Sequence, residues 1–229
     1  GREFRLVLAP QTVSDFRRQP PQHLAVTMAA IDAAGKRLVG PRGRLKRRRQ
    51  HVQQLIAGDQ PNLVMGDAAN NELNGDNSDN ILNGGAGADT LIATAGNDTL
   101  IGGAGNDRFS GGAGIDTISY LGTTAAVTFS LASTANQNTR GSGTDALLAG
   151  HSIENLTGGS AADTLTGDAN ANQIDGAAGN DTLNGGLGAD TLMGGLGKDV
   201  FVFNSKLGAG NIDTLVNYNV VDDTMRLEN

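Results

Sequence analysis

A nine-residue phase governs most of this chain. From Gly84 to Ser119 the sequence reads GGAGADTLI, ATAGNDTLI, GGAGNDRFS, GGAGIDTIS. Glycine recurs at the first, second and fourth places, aspartate at the sixth and an apolar residue at the eighth. Each unit reads as six residues of turn and three of strand. Such a strand is too short to stand alone. Its middle residue points inward and its neighbours outward, so the eighth places form one buried ladder and the fold must be a stack.

The phase extends well beyond this stretch. Two weaker repeats precede it, GDAANNELN from Gly66 and GDNSDNILN from Gly75, with Asn71 and Asn80 at the sixth place. Tyr120–Thr128 stays in phase, with Val127 at the eighth place and Ala125 at the sixth. Residues 129–139 interrupt it as a loop. RGSGTDALL from Arg140 and AGHSIENLT from Ala149 resume it, and five more units run from Gly158 to Val202. All fourteen eighth places are apolar: Leu73, Leu82, Leu91, Leu100, Phe109, Ile118, Val127, Leu147, Leu156, Leu165, Ile174, Leu183, Leu192 and Phe201. Residues 203–229 read as a C-terminal cap, in which Asn211–Asn229 alternates apolar with polar without the glycine rhythm, as suits a capping strand pair.

One apolar residue per repeat makes a thin core, in keeping with only 3 % aromatic residues. Charge is uneven. Residues 1–65 hold 12 Lys/Arg against 4 Asp/Glu, and residues 66–229 hold 5 against 20. The basic segment 1–65 reads as a short β remnant (Phe4, Leu6, Leu8; Leu24, Val26, Met28) and a linker. Its Arg42–Arg49 run is a solvated charge block, with a short helix through Val52, Leu55 and Ile56. No aromatic residues interleave with it, so nucleic acid is not an expected partner. No apolar run approaches the roughly 18 residues of a membrane helix. The chain starts on Gly1 without a signal peptide, so export is expected by another route, or the chain is part of a longer protein.

The sixth-place carboxylates carry the chemistry. Two repeats make one coil, so turns two repeats apart stack about 4.8 Å from each other. Their aspartates converge and repel unless a cation sits between them. Two carboxylates plus inward carbonyls give the all-oxygen shell of about six to eight ligands that Ca²⁺ prefers. The candidate ligands are Asp89, Asp98, Asp107, Asp116, Asp145, Asp163, Asp181, Asp190 and Asp199. Stacking pairs Asp89 with Asp107 and Asp98 with Asp116. It also sets Asp145, Asp163, Asp181 and Asp199 on one ridge, opposite Glu154, Asn172 and Asp190, which gives about five good calcium sites. Asn71, Asn80 and Ala125 are expected to leave the ends of the first block weak.

The GGxGxDxUx units resemble the RTX (hemolysin-type) calcium-binding nonapeptide repeat family. That resemblance implies an all-β fold, a right-handed parallel β-roll. It implies that each site also takes carbonyls from the Gly and x places, including Gly84, Ala86, Gly103, Gly105, Gly176, Ala178, Gly195 and Gly197. It further implies secretion, through type I machinery. His23, His51 and His151 stand apart and no H-E-x-x-H occurs, so no enzyme centre is expected in this chain. A covalently linked catalytic domain, or an adhesin of which the roll is the spacer, remains an alternative.

Overall fold

The structure is a computed structural model. It describes residues 63–139, 141–205 and 210–228, together with the backbone of 6–7 and 54–56. The remaining readings for residues 1–62, the basic run among them, lie outside the described residues.

No helix occurs among the described residues; short strands stack in three parallel ladders. The upstream ladder holds β2 (Gln54–Ile56), β4 (Glu72–Asn74), β6 (Thr90–Ala95), β8 (Arg108–Ala113) and β12 (Thr144–Leu147). β1 (Leu6–Val7) joins it beside β2, and β11 (Gln137–Asn138) pairs antiparallel with β12. The long ladder runs through β3 (Leu63–Met65), β5 (Ile81–Ala86), β7 (Thr99–Ala104), β9 (Thr117–Ser119), β13 (Asn155–Thr157), β15 (Gln173–Asp175), β17 (Thr191–Met193) and β19 (Thr214–Val216). The downstream ladder holds β10 (Thr128–Ser130), β14 (Thr164–Thr166), β16 (Thr182–Asn184), β18 (Val200–Phe203) and β20 (Thr224–Leu227). This is the all-β parallel roll that the nine-residue phase demands. The helix expected through Leu55 and Ile56 is instead a strand, because Leu55 takes a rung opposite Leu73.

Within each ladder the eighth places lie opposite one another. Leu73, Leu91, Phe109 and Leu147 align in the upstream ladder. Leu82, Leu100, Ile118, Leu156, Ile174 and Leu192 align in the long one. All are fully buried, or nearly so. Each such side chain stabilises by about 1.5–3 kcal/mol relative to exposure, and together these ladders make up most of the core, joined at the junction by Tyr120, Phe129, Leu131 and Ile153.

The register departs from the sequence frame at one junction. Phe129, not Val127, lies opposite Leu165. Val127 takes the sixth place, where its N–H donates to Asp163 Oδ1 (2.7 Å). Tyr120 and Leu121 are therefore a two-residue insertion, and Thr123 N–H closes a turn on Tyr120 O (3.0 Å). The interrupting segment begins as strand β10 rather than as loop. The reason is aromatic packing. Phe129 meets Phe109 edge-on at 6.4 Å and Tyr120 at 5.7 Å, a contact worth more than Val127 could supply at that rung. The chain then returns through β11 to lay β12 on β8. The first strand of the downstream ladder, β10, and the last of the upstream ladder, β12, thus lie in the same stretch of chain between the neighbouring long-ladder strands β9 and β13.

The two C-terminal strands do not pair with each other. β19 extends the long ladder on β17, and β20 extends the downstream ladder on β18.

Candidate metal centre

Each coil is tied to the next by its sixth place. Asn71 N–H donates to Asp89 Oδ1 (2.7 Å), Asp89 N–H to Asp107 Oδ1 (2.8 Å) and Asp107 N–H to Asp145 Oδ1 (2.9 Å). In the long ladder Asn80 N–H donates to Asp98, Asp98 to Asp116 and Asp116 to Glu154 Oε2 (2.9 Å). Farther along it, Asn172 N–H donates to Asp190 and Asp190 N–H to Asp213 Oδ1 (3.1 Å). In the downstream ladder the spine runs Asp163, Asp181, Asp199, Asp223.

This spine stacks Asp89 on Asp107 and Asp98 on Asp116, and it corrects one ridge. Asp145 stacks on Asp107 and not with Asp163; Asp163 stacks on Val127. The ridge is split because the shifted unit ending in β10 takes the rung beside β14, while β12 returns to lie on β8. Asp213 and Asp223 were missed. Both stand one residue before a Thr that opens a strand, as sixth-place residues do, but insertions had broken the count of nine before them.

Only one oxygen of each carboxylate is used by the spine. Seven sixth-place aspartates keep a buried Oδ2 without any hydrogen-bond partner: Asp89, Asp98, Asp107, Asp116, Asp181, Asp190 and Asp199. Asp76 Oδ2 and His151 Nδ1 are the other such atoms among the described residues. A buried carboxylate oxygen left unpaired is costly. Burial pushes these groups up, to about 7 at Asp107 and Asp181 and about 6 at Asp98 and Asp190. Neighbouring carboxylates add to the rise at all four. Ionised together, they call for a cation.

The backbone around them supplies oxygen. At Gly84, Asp89 Oδ2 and the Gly102 carbonyl of the next coil converge on the space that a Cβ would fill. At Gly176 the same space faces Asp181 Oδ2 and Gly194 O. Gly103 (φ +94°), Gly105 (φ +144°), Gly195 (φ +94°) and Gly197 (φ +139°) lie against the carbonyls of Gly85, Gly87, Ala177 and Gly179, where any Cβ would overlap. Ala86 and Ala178 pair across coils with Ala104 and Leu196. Among the described residues no group of three or more His, Cys, Asp or Glu side chains gathers. A cation here would be held by one or two carboxylates and by carbonyls, a hard set suited to Ca²⁺ and not to zinc.

Two expected ligands are already satisfied. Asp145 Oδ2 accepts from Tyr120 Oη and Thr139 Oγ1, both at 3.0 Å. Burial and the Asp145 charge hold the Tyr120 phenol well above its usual pKa, so it remains a donor. Asp163 Oδ2 accepts from Gly159 N–H at 2.6 Å. The amide oxygens of Asn71, Asn80 and Asn172 accept in the same manner from the N–H of Asp67, Asp76 and Asp168.

The family model of the RTX calcium-binding nonapeptide repeat matches four times, over residues 56–91, 84–118, 152–183 and 166–201. No curated protein matches the chain. The matched stretches cover the seven turns whose sixth-place Oδ2 is unpartnered and leave out residues 119–151. The repeat array of this chain belongs to the RTX calcium-binding nonapeptide repeat family and forms a calcium-binding repeat module.

Proposed function

We propose that the roll is a module whose folding is driven by calcium, with one ion at each of the seven turns whose sixth-place Oδ2 is unpartnered. The observation that carries this is the stack of buried carboxylate oxygens themselves. Without a cation, a region carrying 20 acidic against 5 basic residues must bury charge or protonate it, and its core is one rung deep. Calcium neutralises the stack, so its binding free energy becomes folding free energy. The count differs from the five of the sequence frame because Asp107, Asp116, Asp190 and Asp199 gain Asp145, Glu154, Asp213 and Asp223 as neighbours, while Asp145 and Asp163 have no free oxygen to offer.

Extracellular modules bind calcium at about 10⁻⁴ to 10⁻³ M. Such a chain stays unfolded where calcium is scarce and folds where it is abundant. The repeat family supports export after synthesis by a type I route. The module then acts as folding and stabilising partner of a covalently attached domain.

Circular dichroism during calcium titration tests the reading. The β signal should be small in EDTA and rise cooperatively with millimolar Ca²⁺. A full β signal in EDTA, unchanged by calcium, would sink it.

A further inference from the structure

Eleven of the turns fall into two conformations, and the sixth place fails to tell them apart only at 158–163. Of the turns at the junction, the one ending at Asp145 has positive φ at Gly143 but not at Gly141, and the one ending at Glu154 has positive φ at Gly150 and Ser152. In the seven turns with an unpartnered Oδ2, the second-place residue has positive φ: Gly85, Thr94, Gly103, Gly112, Ala177, Gly186 and Gly195. The same seven carry glycine with positive φ at the fourth place: Gly87, Gly96, Gly105, Gly114, Gly179, Gly188 and Gly197. We describe these turns as open. Four other turns, at 66–71, 75–80, 158–163 and 167–172, have positive φ at neither place. Their fourth places are Ala69, Ser78, Ala161 and Asn170. In all four the second-place N–H points inward and donates to the sixth-place side chain. These turns are closed.

Reversing φ at the second place goes with a flip of the peptide that precedes it, as between type II and type I turns. A closed turn therefore aims the positive end of an N–H dipole at the oxygen that a cation would need. Three closed turns add a brace: the fourth-place N–H donates to Asp67, Asp76 or Asp168 Oδ1 at 2.7–2.9 Å. These three also carry Asn at the sixth place, so the carboxylate has moved from place six to place two. The turn at 158–163 lacks that exchange. It has Gly159 at place two and Asp163 at place six, as open turns do, and differs from most of them by Ala161. Glycine is the residue that adopts the positive φ of the open fourth place without strain, and alanine there favours the closed form.

We propose that the fourth place selects which turns of this roll take calcium: Ala69, Ser78, Ala161 and Asn170 hold metal-free rungs, and Asp163 belongs to a latent site masked by Gly159 N–H. The inference rests on calcium binding at the open turns and goes beyond it. In the closed turns the protein's own second-place N–H occupies the sixth-place oxygen.

The test is Ala161→Gly, with bound calcium counted by native mass spectrometry at saturating Ca²⁺. The variant should hold one ion more per chain than the wild type. Its Gly159 amide should lose hydrogen-exchange protection, since the N–H no longer donates to Asp163. Adding Asp163→Asn should return the ion count to the wild-type value. An unchanged count in Ala161→Gly, or an extra ion that survives Asp163→Asn, overturns the proposal. A wild type that holds no calcium under these conditions would instead defeat the reading of the open turns, and the two failures are distinguishable.

Discussion

The coils before the junction and those after it obey one rule with different partners. Before it, the long ladder faces the upstream ladder, and four consecutive turns are open, ending at Asp89, Asp98, Asp107 and Asp116. After it, the long ladder faces the downstream ladder, and the first turns are closed or degenerate before three open ones end at Asp181, Asp190 and Asp199. Between them Asp145 is satisfied by Tyr120 and Thr139. The difference teaches that a repeat can complete itself in two ways, by leaving an oxygen for a cation or by aiming its own donor at that oxygen. The junction uses the second way at Asp145.

Metal-free folding should respond to pH in both halves at once, the largest effect expected here. Burial raises the folded-state pKa of Asp98 and Asp107 upstream and of Asp181 and Asp190 downstream, to about 6 or 7. The unfolded value is near 3.8, so between these limits the folded chain binds more protons than the unfolded one. Stability of the metal-free roll then falls as pH rises through that window. Chain stripped of calcium on a chelating resin should show more β structure at pH 5 than at pH 8, with one transition. Two separated transitions would mean that the halves titrate independently. With calcium present the direction reverses, because protons compete for the same oxygens.

The junction itself should be sensitive to one hydroxyl. Tyr120→Phe leaves Asp145 Oδ2 with Thr139 alone, in a site where Asp145 is wholly buried. Losing a hydrogen bond to a buried carboxylate costs about 1–3 kcal/mol, read as a lower Tm in saturating calcium. Tyr218→Phe is the downstream control. Its hydroxyl donates to the Asp223 carbonyl at 3.3 Å in a part-buried place, and the change should stay within about 0.5 kcal/mol. Equal losses would remove any special standing for the junction.

Much of this was legible in the sequence because the nine-residue count is rigid wherever each rung supplies one core side chain. Leu73 to Ile118 and Leu156 to Phe201 fell where the phase put them. The count failed where packing and insertion compete. Tyr120–Leu121 shifted the frame by two, and Val127 and Phe129 both offered an apolar residue at alternating positions, so only the contact with Phe109 decides between them. Asp213 and Asp223 were hidden by insertions on the way to them. The distinction between open and closed turns was written at the fourth place, in Ala69, Ser78, Ala161 and Asn170.

The smallest effect separates the two open turns that lack glycine at the second place, one in each half. Thr94 holds φ +91° and Ala177 holds φ +68°. A β-branched residue at positive φ is a strong outlier, whereas a small residue near the left-handed well is strained less. Thr94→Gly should raise stability in calcium by about 1 kcal/mol, the relief of strain exceeding the added chain entropy. Ala177→Gly should change it by less than about 0.5 kcal/mol, because relief and entropy nearly cancel. Thermal melts of the two variants measure the contrast. If Thr94→Gly destabilises, its side chain is holding the first coils together, and the upstream half is braced at this turn by a contact that the downstream half does without.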